Sequence, residues 1–278
     1  MPESGDKKMR RTNMALKIIG NIARHPKRLF SVSDTLFDED KRNYVIKRYG
    51  LEFGLPTIDM LDLFPSFKVT VDPYSFLADT SETIDIAILK ALAQTYDHCS
   101  YLEIGSWRGE SLANVASIAD ECISISFSDE EMRQHGFSEK FRQNNRFFSK
   151  DLKNVTHIGH NSLTFDFSSF MKKMDLVFVD GDHSYEGVKL DTQNAFKLLR
   201  NHSSTIVWHD YTFNTETVRW TILAGILDGC PKEKRGNLYH VSNTNCAIYT
   251  EEKFKTSFAT YPQTPNKKFT VTISTSKL

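Results

Sequence analysis

Tyr101-Leu-Glu-Ile-Gly-Ser-Trp-Arg-Gly109 is the stretch on which the reading of this chain turns. A short apolar run ends in an acid and a glycine, and a second glycine follows four positions later. Behind it, Glu110 to Ala119 carries Leu112, Val115, Ala116 and Ala119 at helical spacing. The pattern predicts a strand, a tight loop and a helix. Such a loop aims backbone N–H groups and a helix N-terminus at whatever lies above the strand end, which suits a nucleotide-like or carboxylate-bearing ligand. Glycine lets the backbone come close to that ligand.

Working outward, the rhythm is regular from residue 82. Ser81-Glu82-Thr83 opens a helix facing inward through Ile84, Ile88, Leu89 and Leu92. Strands are predicted at Tyr101–Ile104, Cys122–Phe127, Val155–Ile158, Met174–Val179 and Thr205–Trp208. Helices are expected after Gly109, through Glu130–Arg133, over Tyr185–Arg200 and over Val218–Leu227. Two closing strands, Leu238–Val241 and Cys246–Tyr249, flank the turn-like Ser242-Asn-Thr-Asn245. Alternating strands and helices imply a doubly wound, mostly parallel sheet, and the closing hairpin adds an antiparallel strand. The chain divides into an extension over 1–80, a sheet domain over 81–255 and a tail over 256–278. In the extension, residues 1–12 read as disordered and 13–24 as a basic amphipathic helix, for docking on its own domain, a partner or a membrane surface. One helix near 38–49 and aromatic-rich loops follow, as a cap over the core. In the tail, Phe269, Val271 and Ile273 alternate, so it either adds an edge strand or frays.

Composition narrows the function. With 35 basic and 35 acidic residues in 278, the chain has no net field to attract nucleic acid. Four scattered cysteines make no C-x-x-C, which points to a reduced, cytoplasmic protein rather than a disulfide or zinc framework. No apolar run reaches transmembrane length, because Asp85 and Lys90 interrupt the best one.

The dinucleotide fingerprint G-x-G-x-x-G is not met, since Trp107 stands where its second glycine belongs. What stands is E-x-G-x-x-x-G, from Glu103 through Gly105 to Gly109, which resembles motif I of class I S-adenosylmethionine (SAM) methyltransferases. Further acids and imidazoles gather at the other strand ends: Asp180-Gly-Asp-His-Ser-Tyr185 after the fourth strand, His209-Asp210-Tyr211 after the fifth. Such groups in one cleft suit a divalent metal or a base held by an acid. Val177-Phe-Val-Asp-Gly-Asp-His-Ser-Tyr-Glu-Gly-Val-Lys-Leu-Asp191 with Ile206-Val-Trp-His-Asp-Tyr211 resembles the macrocin-type O-methyltransferase group of that class, over about residues 82–250.

The resemblance implies a seven-stranded Rossmann-like sheet with a reversed C-terminal hairpin. It implies that Glu103, Gly105, Ser106, Trp107 and Gly109 lie along the cofactor's methionine and ribose, and Asn161-Ser162 near its adenine. Asp180 would serve the cofactor and, with Asp210 and His209 or Asp182, hold Mg²⁺; His183 would be the general base. One departure stands out: the second strand ends in Ser126-Phe127-Ser128, with Asp129 late, where many members hold the ribose with an acid. A histidine at 209 is also a poorer Mg²⁺ ligand than a carboxylate.

The expected reaction is methyl transfer to a hydroxyl of a sugar, glycoconjugate or other small molecule, with His183 activating that weak nucleophile and with or without Mg²⁺ assistance. Two rivals stay open: an NAD-type oxidoreductase and a catalytically silent SAM-fold binding protein. Each site residue also has a plainer reading. Asp180 could cap its loop, Asp210 the helix after Asn214, and His209 could be a buried structural histidine. Oligomeric state is open, and a homo-oligomer is compatible with everything above.

Overall fold

The computed structural model describes residues 27–78, 81–214, 217–258 and 266–273. Expectations for residues 1–12 and 13–24, including membrane contact by the basic segment, lie outside these residues. Two compact units divide after Glu52. The first contributes one helix, α1 (Lys27–Tyr49), which begins earlier than the helix near 38–49 expected from sequence.

The second unit holds the sheet. In chain order its elements are β1 (Thr57–Ile58), α2 (Met60–Leu63), α3 (Thr83–Ala93), β2 (Ser100–Ile104), α4 (Glu110–Ala116), β3 (Glu121–Ser126), α5 (Asp129–Gln134) and α6 (Glu139–Gln143). They continue as β4 (Val155–Gly159), β5 (Leu176–Val179), α7 (Tyr185–Leu198), β6 (Thr205–Trp208), β7 (Thr212–Asn214) and β8 (Thr217–Val218). The last are α8 (Trp220–Gly229), β9 (Leu238–Val241), β10 (Ala247–Tyr249) and β11 (Thr256–Ser257).

Among the described residues the main sheet has nine strands in the order β11-β1-β9-β10-β6-β5-β2-β3-β4. The five strands at one end, β6 to β4, are parallel. β10 runs antiparallel between β6 and β9. This is the expected doubly wound sheet of seven strands, with the reversed hairpin, extended by two two-residue strands. One of these, β1, comes from what was read as the extension. The tail adds no edge strand at the predicted alternation: residues 266–273 are without regular structure, and Val271 and Ile273 are exposed.

The apolar runs explain the layering. β5 and β6 are buried along their whole length, as strands covered on both faces must be. β2 is followed by a crossover to β3 on one side, whereas β5 lies on its other side. The chain therefore reverses direction across the β2/β5 boundary, and in open α/β sheets ligands bind beyond the carboxyl ends of the strands at such a point. All four cysteines are buried and unpaired. Among the described residues no helix is long and apolar enough to cross a membrane.

Candidate active site

The glycine loop sits at the switch point, held by its own strand. Side chains two apart on a strand share a face, so Glu103 lies beside Tyr101 and under α4, away from the cleft. Its carboxylate is fully buried. It accepts hydrogen bonds from the hydroxyls of Tyr101 (2.6 Å), Ser106 (2.6 Å) and Ser111 (3.0 Å). Burial pushes its pKa up to about 7 against those bonds. Glu103 thus anchors the loop to α4 through Ser106 and Ser111. Ser106 is spent the same way, donating to Glu103 while accepting from Ser124 at 2.9 Å.

The two glycines do what their positions demand. Gly105 (φ 95°) and Gly109 (φ 85°) adopt left-handed backbone. A Cβ on Gly105 would collide with the Asp180 carbonyl and Gly181, and one on Gly109 with the Ser149 side chain. Trp107 stacks on Phe141 at 5.0 Å, with the Arg108 guanidinium 4.4 Å from its ring centroid.

At the end of β3 the expected ribose contacts are otherwise engaged. Ser128 forms a capping box with Glu131 at the start of α5. Asp129 is exposed and pairs with Arg133 (2.6 Å) and Arg142 (2.9 Å). Ser126 receives the Arg146 Nη2 at 3.1 Å, from a residue that itself has φ 60°. After β4, Asn161 folds into its own turn, its Oδ1 accepting from Leu163 N, while its N–H goes to Glu131. Ser162 faces the buried Asp191, whose carboxylate oxygens lack hydrogen-bond partners and whose pKa burial pushes up to about 7. Sequence reading passed over Arg146, Glu131 and Asp191. Arg146 and Glu131 lie in no recognisable motif, whereas Asp191 closes the stretch Val177–Asp191 and is buried in α7.

The acid–imidazole cluster forms as predicted. Asp180 leaves β5 with its N–H on the Ile104 carbonyl, next to the glycine loop. His209 Nδ1 lies 3.2 Å from Asp180 Oδ1 and 3.7 Å from Asp210 Oδ2. His183 Nε2 lies 3.0 Å from Asp210 Oδ2 and 3.8 Å from Asp180 Oδ1. Two residues join that sequence reading missed. Arg219 Nη1 pairs with Asp210 Oδ2 at 3.1 Å, and Asp85 Oδ2 approaches His209 Nε2 at 3.2 Å. Asp210 has φ 56° and leads into the β7/β8 ribbon. It caps no helix, since Arg219 occupies the N-cap of α8. Asp182 turns outward and accepts from Ser184 N and Oγ, apart from the cluster.

Charges in the cluster support one another. Burial disfavours ionised His209, yet Asp180, and the bonds to Asp180, Asp210 and Asp85, hold its pKa well above the ordinary value. For Asp180, burial is outweighed by His209 and His183, so its pKa is lowered. For Asp210, burial is outweighed by His209, His183 and Arg219, which hold it far below the usual range. Asp180, with Asp210, raises His183 against the opposing effect of burial. Asp180, His209 and Asp210 each present a ligand atom within 4.8 Å of one another. Two carboxylates and an imidazole fit a divalent ion, though Mg²⁺ prefers oxygen donors throughout.

A doubly wound sheet with a glycine loop at its switch point and an acid–imidazole cluster beside it is a ligand-binding α/β fold. Residues 102–211 match the family model described as a methyltransferase domain. The uncharacterized protein R132 of Acanthamoeba polyphaga mimivirus is 29% identical over 149 residues, or 48% of this chain and 60% of that protein. The chain thus spans less than two thirds of that relative. Among solved structures, the O-methyltransferase TomG of Streptomyces achromogenes, in complex with SAM, is 18% identical. The similarity covers 69% of this chain and 96% of TomG, with a TM-score of 0.43. An O-methyltransferase from Bacillus cereus in complex with S-adenosylhomocysteine (SAH) is 15% identical over 64% of this chain and 85% of that one, with a TM-score of 0.43.

Proposed function

We propose that this protein is a SAM-dependent methyltransferase acting on a hydroxyl oxygen of a sugar, glycoconjugate or other small molecule, with His183 as general base. The observation that carries the reading is the placement of His183. It is 44% exposed, at the carboxyl end of β5, and held by two carboxylates beside the Gly105 loop. The methyltransferase-domain match over the same residues supports the cofactor.

The chemistry follows from position. Displacement at a sulfonium methyl needs the acceptor oxygen about 3 Å away and in line, so orientation supplies much of the rate. A neutral hydroxyl must also lose its proton as it attacks, and a half-exposed imidazole can take it. Asp210 and Asp180 orient that imidazole and stabilise the charge it acquires. A divalent ion at Asp180, His209 and Asp210 would lower the pKa of a bound hydroxyl. Gly105 and Gly109 bring backbone close to the cofactor, and Glu103 fixes that backbone from beneath.

The test is a panel of hydroxyl acceptors with methyl-labelled SAM. Label transfer to a hydroxyl acceptor, lost in His183→Ala, supports the reading. Label transfer that survives this substitution removes His183 as the base.

A further inference from the structure

Asp85 comes from α3, a helix buried at every position from Asp85 to Ala93. A carboxylate in such a place requires partners, and Asn245 and His209 are among them. Its Oδ1 accepts the backbone N–H of Asn245 at 3.0 Å, and its Oδ2 lies 3.2 Å from Nε2 of His209. The imidazole is therefore gripped from behind by a carboxylate with no solvent access, while Nδ1 on the opposite edge faces Asp180 and Asp210. Asp85 belongs to none of the motifs at the strand ends, and reaches them because α3 and the β9–β10 turn meet beneath His209.

A carboxylate behind the remote nitrogen of a histidine fixes the proton there and directs the lone pair of the other nitrogen at a metal. His209 Nδ1 and one oxygen each from Asp180 and Asp210 already stand within 4.8 Å of one another. We infer that Asp85 is the positioning residue of a metal site made by Asp180, His209 and Asp210, and that this site takes a first-row transition ion such as Mn²⁺ or Co²⁺ in preference to Mg²⁺. Imidazole suits ions such as Fe²⁺, Ni²⁺ and Zn²⁺ and is accepted by Mn²⁺ and Co²⁺ beside carboxylates, whereas Mg²⁺ favours an all-oxygen shell of carboxylate, carbonyl and water. In this arrangement the ion replaces the proton at Nδ1, and Asp85 keeps the one at Nε2. His183 and Arg219 lie 3.0 and 3.1 Å from the same Asp210 oxygen, beside the site. The inference rests on the geometry of this cluster and holds whatever the cofactor.

The test uses the full-length, metal-stripped protein. Binding of Mn²⁺ is followed by electron paramagnetic resonance, with Mg²⁺ as competitor, and SAH binding is measured alongside. One Mn²⁺ per chain is expected, displaced only by a large excess of Mg²⁺, with pulsed resonance showing a directly bound nitrogen. Asp85→Asn should weaken Mn²⁺ binding about 10- to 100-fold and leave SAH affinity as it was. His209→Glu should lose the nitrogen coupling and let Mg²⁺ compete on near-equal terms. The site is overturned if the wild type binds no Mn²⁺, binds it without nitrogen coupling, or prefers Mg²⁺. The role of Asp85 is overturned if Asp85→Asn binds Mn²⁺ as tightly as the wild type. Should Asp85→Asn fail to fold, the wild-type nitrogen coupling and the His209→Glu competition still decide the metal class, and Asp85→Glu, expected to lower affinity by displacing the ring, decides the positioning. SAH binding without metal binding sinks this inference alone. Loss of SAH binding in the wild type sinks the proposed function instead.

Discussion

Nε2 of His183 stands 3.0 Å from Oδ2 of Asp210, joining the carboxyl end of β5 to that of β6 across the site. Neither residue is adjacent in sequence to the glycine loop. The parallel pairing of β2, β5 and β6 brings all three together. Replacing His183 with Ala removes the proposed proton acceptor without touching the loop. Turnover should fall about 10²- to 10⁴-fold, while SAH binding, followed by calorimetry, stays unchanged.

Arg219 Nη1 pairs with Asp210 Oδ2 at 3.1 Å. Arg219→Met leaves Asp210 facing its histidines alone. Catalysis should drop through lost orientation of His183, with the fall in kcat larger than any rise in KM. An unchanged kcat would show that the Arg219 contact is only structural.

Gly105 is the tightest point between the β2 and β5 loops. Gly105→Ala forces a Cβ into the Asp180 carbonyl at a left-handed backbone position. The backbone strain alone costs roughly 1–3 kcal/mol. SAH affinity should fall together with the melting temperature. Gly136→Ala, at φ 77° with open space around it, is the control: it should show similar strain and normal SAH binding.

Glu103 and Asp191 are buried acids with pKa values pushed up to about 7. An acid raised in the folded state binds protons that the unfolded chain has already released. Its contribution to stability is therefore lost as pH rises from the unfolded value near 4 to the folded value near 7. Asp191→Asn carries no charge and should flatten that decline, raising the melting temperature at pH 8 by at least a few degrees relative to wild type. Glu103→Ala should instead destabilise at every pH, because it leaves three buried hydroxyls without their acceptor. Melting curves from pH 4 to 8 check both.

Much of this architecture was legible in the sequence because period and punctuation agree. The unbroken run Leu176–Val179 announced a strand covered on both faces, and Gly105 and Gly109 marked the loop that only left-handed backbone allows. The cluster of Asp180, His183, His209 and Asp210 followed from placing strand ends side by side. Glu103 was read as lying along the cofactor, and its bonds to Tyr101 and Ser111 were not foreseen. Asp85 was seen only as a break in an apolar run. Its meaning depends on the distant Asn245 and His209, a contact that local pattern does not encode. β1 and β11 escaped notice because two-residue strands carry no period, and Ser128, read as a candidate ribose contact, forms a capping box with Glu131.

The central claim is that the switch-point cleft binds SAM, and melting with its product is the most direct test. At about 100 times its dissociation constant, SAH should add roughly 2.7 kcal/mol of stability, a shift of a few degrees. The account predicts that rise with SAH and none with NAD. A rise with NAD alone, or no shift with SAH at saturating concentration, would contradict it.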